Sequence, residues 1–117
     1  MELNVLAVGD VVSQAGLDFL RRSLPRLKRE RGVHFTVVNG ENAAGIGLFP
    51  NQAEDILDSG ADVVTLGNHT WSKLQIADYL DAAPCVLRPA NFAPRLPGRG
   101  YGVFDGPHGL RIGVLNL

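Results

Sequence analysis

Three short apolar runs in this chain end in the same way, and that repetition constrains the fold more than any other feature. Leu6-Ala7-Val8 leads into Gly9-Asp10. Val37-Val38 leads into Asn39-Gly40-Glu41-Asn42, and Thr65-Leu66 into Gly67-Asn68-His69. A brief apolar run that stops at a glycine reads as a buried strand, and stretches of helical periodicity separate the three. Leu17, Leu20, Leu24 and Leu27 recur at steps of three and four, which is one face of a helix. Pro50 to Leu57 reads as a short helix stopped by Ser59-Gly60. A third helix is expected from about Ser72 to Ala82, with Ile76, Tyr79 and Leu80 inward. Strand and helix in alternation predict an α/β fold, built on a parallel sheet with right-handed crossovers.

The rest of the chain fills in around this frame. Strands are expected over Leu3–Val8, His34–Val38, Ala61–Leu66 and Cys85–Leu87. Pro25 lies within the first helical pattern and predicts a kink or a division into two short helices. Gly32 closes that segment. Residues 39–50, with three glycines and a proline, must be loop, as must Arg88–Gly100 with its three prolines. Tyr101–Phe104 and Leu110–Leu117 predict a hairpin that makes the sheet mixed. Ile112 to Leu117 has the character of a central strand, and such a strand needs cover on its outer face. The expectation is a single unit over residues 1–117, the N-terminal half of a larger domain continuing past Leu117.

Bulk properties exclude several classes. At 117 residues there is room for one modest core. The net charge of −1 argues against a general nucleic-acid or membrane-surface binder. Six of the eleven basic side chains, from Arg21 to Arg31, lie towards a helix C-terminus and are expected to form a solvated face. The lone Cys85 cannot form an internal disulfide and is read as a buried structural thiol, which suits a reducing cytoplasm. No secretory leader or membrane span is recognisable.

The chemistry lies at the strand ends. In a parallel sheet these termini share the carboxyl edge, where α/β folds seat their ligands. Asp10, Glu41, Asn42, Asn68 and His69 should therefore converge although they are scattered in sequence. Two carboxylates, two amide oxygens and an imidazole suit Mn²⁺, Fe or Zn²⁺ better than a thiolate-seeking metal. A carboxylate between two ions about 3.5–4 Å apart could bridge them, and the pair could share a hydroxide for in-line attack on phosphorus. His69 would protonate the leaving oxygen or stabilise phosphoryl charge. Trp71 is expected to pack near the site, and Arg88 to donate structural hydrogen bonds more than to contact phosphate. Gly45-Ile46-Gly47 lacks the third glycine of a dinucleotide fingerprint and is read as loop.

Gly9-Asp10-Val11-Val12, Asn39-Gly40-Glu41-Asn42-Ala43-Ala44, Gly67-Asn68-His69-Thr70-Trp71 and Arg88-Pro89-Ala90-Asn91 closely resemble the YmdB-type branch of the calcineurin-like metallophosphoesterases. The resemblance implies a layered fold with a β-sandwich flanked by helices, a dinuclear iron or manganese centre, and hydrolysis of cyclic nucleotides of the 2′,3′-cyclic AMP type. It implies that Asp10 and Asn42 bind one metal, Glu41 bridges both, Asn68 binds the second, and His69 donates the proton. Relatives carry three further histidine ligands in a second half. His34 and His108, at a strand start and in a turn, do not match them. The segment Ser13–Leu17 also departs from the branch, where glycine, proline and arginine commonly follow Gly-Asp-Val.

Two other function classes are compatible with the residues. One is a non-catalytic unit that keeps the fold and covers its open sheet with a second copy or a partner chain. The other is a mononucleotide-binding domain, although no complete phosphate-cradling glycine loop is present.

Overall fold

The computed structural model describes residues 1–117. Its elements run β1 (Val5–Val8), α1 (Ser13–Arg31), β2 (Phe35–Asn39), α2 (Pro50–Asp58), β3 (Val63–Thr65), α3 (Ile76–Ala82), β4 (Val86–Leu87), β5 (Tyr101–Asp105) and β6 (Arg111–Leu115). The first four strands form a parallel sheet in the order β1-β2-β3-β4. Its register pairs Val8 with Val38, Asn39 with Thr65, and Thr65 with Leu87, so the four carboxyl ends lie in one line. No helix is long and apolar enough to cross a membrane.

The helix α1 runs through Pro25 as one element, which excludes the division into two short helices, one of the two outcomes expected there. Pro25 is exposed, so the carbonyl that loses its N–H partner can turn to water instead of being stranded in the core. Gly32 ends the helix in the left-handed region (φ 59°), as its place in the sequence predicts. The segment Ser13–Leu17 forms the first turns of α1. The third helix is shorter than expected, because residues 72–75 form turns before Ile76.

Strand alternation divides the core. Val38, Val64 and Val86 face the helices and join Leu17, Leu20, Leu24, Ile56 and Leu80 in one buried cluster. Phe35, Val63 and Leu87 point the other way, towards Phe104, Ile112 and Val114 of the hairpin. The Phe35 and Phe104 rings lie 6.3 Å apart and tilted. Burying side chains of this size contributes about 1.5–3 kcal/mol each.

The hairpin β5–β6 therefore packs face to face on the parallel sheet as a second sheet, and does not extend the first into a mixed one. An isolated bridge pairs Leu87 at the end of β4 with Arg99, just ahead of β5. The outer face of the hairpin, including Tyr101, Val103 and Leu115, is exposed. Cys85 is only half-buried; desolvation pushes its thiol above the ordinary range. Half-burial departs from the expected buried thiol, and follows from its place just before the two-residue β4.

Candidate metal centre

The aligned strand ends bring Asp10, Glu41, Asn42, Asn68 and His69 together. Three backbone hydrogen bonds tie the loops that carry them. Val11 N–H donates to the Asn39 carbonyl at 3.0 Å, Ser13 N–H to that of Asn42 at 2.9 Å, and Gly40 N–H to that of Thr65 at 3.0 Å. The Asn39 side chain adds a local turn, accepting the Glu41 N–H at 3.1 Å.

Glu41 sits at the centre and is 8% exposed. Its carboxylate accepts from the Asn42 amide at 3.4 Å and from the His69 N–H at 3.3 Å, both long for a buried charge. The His69 Nδ1 approaches Glu41 Oε1 at 3.4 Å without hydrogen-bonding geometry. Asn42 turns its Nδ2 to Asp10, at 3.2 Å from Oδ1 and 3.1 Å from Oδ2. Asn68 Nδ2 lies 3.4 Å from His69 Nε2. Two of the three buried side-chain atoms in the protein that lack a partner belong to this cluster, Asn42 Oδ1 and His69 Nδ1.

The glycines at the three strand ends are not equivalent. A Cβ on Gly67 would run into the Glu41 carboxylate, and one on Gly40 would meet Val64 and Ile56 below 3.0 Å. Gly9 has open space around it, so sterics do not require it. Ser13 holds a positive φ of 62°, a region that favours glycine, while its N–H reaches Asn42. That strain sits where the sequence departs from the branch pattern.

This arrangement has too many acceptors. The carboxylates of Asp10 and Glu41 share one Asn42 amide as donor, while Asn42 Oδ1 and His69 Nδ1 are left without partners. Asp10 is exposed, but Glu41 is buried, and a buried carboxylate this short of donors is costly unless a cation joins it. The residues present therefore fit a metal of borderline or hard character.

The other histidines lie elsewhere. His34 Nδ1 accepts the Asn4 N–H at 2.9 Å at the opposite end of β2, and His108 is exposed in the hairpin turn. Trp71 packs against the core, with its ring 6.4 Å from that of Phe92 and tilted by 36°. Among the basic residues of α1, Arg26 pairs with Glu30, Arg21 with Asp55, and Lys28 caps the Gly60 carbonyl. These partners fit a solvated face.

One feature went further than the sequence suggested, and another escaped it. Arg88 follows β4 and is 4% exposed, with no carboxylate beside it. Its Nε donates to the Pro97 carbonyl at 2.9 Å and Nη1 to that of Pro89 at 3.1 Å. Nη2 lies 3.3–3.4 Å from the carbonyls of Leu96, Pro94 and Gly98. The structural reading of Arg88 is thus the correct one, but its scale was invisible. Asn116 is the second: its Nδ2 clamps the carbonyls of Leu66 and Leu87 at 2.7 and 3.0 Å, fixing β6 to the sheet edge. The only hint was an asparagine closing an apolar strand, as Asn39 does.

Two clefts flank the cluster. One of about 440 Å³ is apolar and lies between β1 and α1, beside Asp10, with Phe19, Leu20 and Leu27 in its wall. The other, about 420 Å³, is polar and opens beside Glu41 and Asn68, with Asn39, Asn91, Phe92 and Asn116 around it.

Comparison with known proteins matches this geometry to relatives. The chain is 42% identical over 116 residues to the 2′,3′-cyclic-nucleotide 2′-phosphodiesterase of Bacillus subtilis, an alignment covering 98% of this chain and 44% of that protein. The crystal structure of a novel phosphatase from Mycoplasma pneumoniae superposes with a TM-score of 0.86 at 30% identity, over 98% of this chain and 42% of that one. A hypothetical protein from Thermus thermophilus gives 0.85 at 34% identity, over 95% and 43% respectively. The chain thus spans less than half the length of these relatives. The family model of YmdB-like proteins matches residues 6–117, and the chain belongs to that family.

Proposed function

We propose that this chain carries one half of the metal site of a phosphodiesterase that hydrolyses cyclic nucleotides of the 2′,3′-cyclic AMP type. The observation that carries the reading is the crowding of acceptors around Glu41, with Asn42 Oδ1 and His69 Nδ1 buried and unpaired. The name of the Bacillus subtilis relative supports the reaction class.

Asp10 and Asn42 would hold one divalent ion, Asn68 a second, and Glu41 both; Mn or Fe suits the set best, with Zn as a third option. Rotating the Asn42 amide by half a turn exchanges Nδ2 for Oδ1 beside the carboxylates, a change that a cation between them favours. When bound, the ions supply Lewis acidity towards the phosphoryl group. Asp10 and Glu41 balance that charge, and Gly67 leaves the space the Glu41 carboxylate occupies. His69, beside Glu41 at the edge of the cluster, would deliver a proton to the leaving oxygen.

The test is hydrolysis of 2′,3′-cyclic AMP with Mn²⁺ or Fe²⁺, beside a Glu41→Ala control and a calorimetric titration of each metal. Metal binding and turnover that both vanish in the control are expected when the site is complete. Turnover that ignores Glu41 or survives a strong chelator overturns the reading.

A second reading, a non-catalytic self-associating unit, draws on the exposed outer face of the hairpin. It calls for a stable, salt-insensitive dimer that binds no metal, measured by analytical ultracentrifugation.

A further inference from the structure

The segment from Arg88 to Gly100 is thirteen residues without regular structure, a length at which loops in compact domains are usually functional. Its conformation is nonetheless closely determined. Five carbonyls, those of Pro89, Pro94, Leu96, Pro97 and Gly98, turn inward onto one guanidinium. Gly98 N–H donates to Asp81 Oδ1 at 2.8 Å, Phe92 N–H to the Pro89 carbonyl at 3.2 Å, and Ala90 N–H to the Asn116 carbonyl at 2.7 Å. The result is an arch whose leading residues, Pro89, Asn91 and Phe92, form one wall of the polar cleft beside Glu41 and Asn68.

That cleft has a particular chemistry. Its lining includes four asparagines (39, 68, 91 and 116), Thr65 and one aromatic ring, and Glu41 is the only charged side chain. Asn39 Oδ1 and Asn116 Nδ2 are spent on backbone partners, which leaves Asn39 Nδ2 and Asn116 Oδ1 without protein hydrogen bonds. Asn91 is exposed and makes none through its side chain. Neutral donors and acceptors beside an aromatic ring suit the sugar hydroxyls and base of a nucleoside. The opposite cleft, beside Asp10, is mainly hydrocarbon and suits them poorly.

We infer that the polar cleft is the nucleoside subsite of this site, that Asn91 is a substrate-contacting residue there, and that Arg88 is the positioning residue that sets the arch carrying it. The inference rests on the proposed phosphodiesterase reading for the phosphoryl end of the substrate. It does not need metal for the nucleoside end.

The experiment is an NMR titration of the metal-free chain with adenosine, following side-chain amide signals, repeated with Asn91→Ala and Arg88→Lys. Saturable shifts at Asn91 and Asn116, with Asn42 unmoved, are expected. Asn91→Ala should weaken adenosine about 5- to 10-fold with the melting temperature unchanged, the loss of one or two hydrogen bonds. Arg88→Lys should weaken adenosine similarly and speed hydrogen exchange at the Ala90 and Phe92 amides. A purely structural Arg88 would lower the melting temperature and leave adenosine affinity alone. Adenosine that leaves Asn91 unshifted, or affinity indifferent to Asn91→Ala, overturns the inference. A parallel Mn²⁺ titration separates the two readings. If Mn²⁺ leaves the signals of Asp10 to His69 untouched while adenosine still moves Asn91, the metal reading fails and the nucleoside subsite stands.

Discussion

Glu41 and Arg88 are both buried charges at the carboxyl edge of the same sheet, one just past β2 and the other just past β4. Their surroundings differ in kind. Each of the three guanidinium nitrogens of Arg88 reaches at least one carbonyl, all drawn from its own loop. The Glu41 carboxylate has two long hydrogen bonds, a second carboxylate close by through Asn42, and two unpaired polar atoms around it. Protein alone solvates the first charge, and the second is left short. A buried charge that its own chain satisfies is scaffold, whereas the one left short is where we propose that a cation binds.

Arg88 offers the most direct challenge to this distinction. Arg88→Met should cost about 3 kcal/mol of stability, since it strands several inward carbonyls. Chemical denaturation measures this, and a loss below about 1 kcal/mol would show that the arch does not depend on the guanidinium. Glu41→Gln should behave in the opposite sense. Mn²⁺ affinity should fall about 100-fold, while metal-free stability holds or rises by up to about 1 kcal/mol because an under-solvated carboxylate is gone. Equal destabilisation in the two variants would erase the difference between them.

Gly67→Ala probes the same contrast without touching a charge. Its methyl group would displace the Glu41 carboxylate, so metal affinity should drop about 10-fold, readable by calorimetry. Gly9→Ala, which meets open space, should leave affinity unchanged. The mildest effect is expected at Ser13. Ser13→Gly relieves a positive φ and should stabilise the chain by about 0.5–1 kcal/mol in thermal melts. Stabilisation there would show that strain is stored on the Glu41 side of the edge.

Much of this was legible without coordinates, because strand period and glycine stops are local signals. The parallel alternation, the helix stop at Gly32 and start at Pro50, and the convergence of Asp10, Glu41, Asn42, Asn68 and His69 follow from spacing and from the geometry of parallel sheets. Pro25 left two outcomes open, because whether a proline divides a helix depends on which face it occupies, and packing sets that. The hairpin misled for a related reason. Tyr101–Asp105 and Arg111–Leu115 look the same in sequence whether they extend a sheet or lie across it; the placement of Phe104 and Ile112 on Phe35, Val63 and Leu87 settles it.

Which elements form, and which side chains stand at their ends, is therefore written in the order of the residues, since both depend on neighbours a few positions apart. Which polar groups find partners is settled at assembly. The Arg88 donors meet carbonyls as far as Gly98, and Asn116 reaches Leu66 fifty residues back. A hydrogen-bond deficit such as that of Asn42 and His69 is a property of the assembled surroundings, which no single stretch of chain encodes.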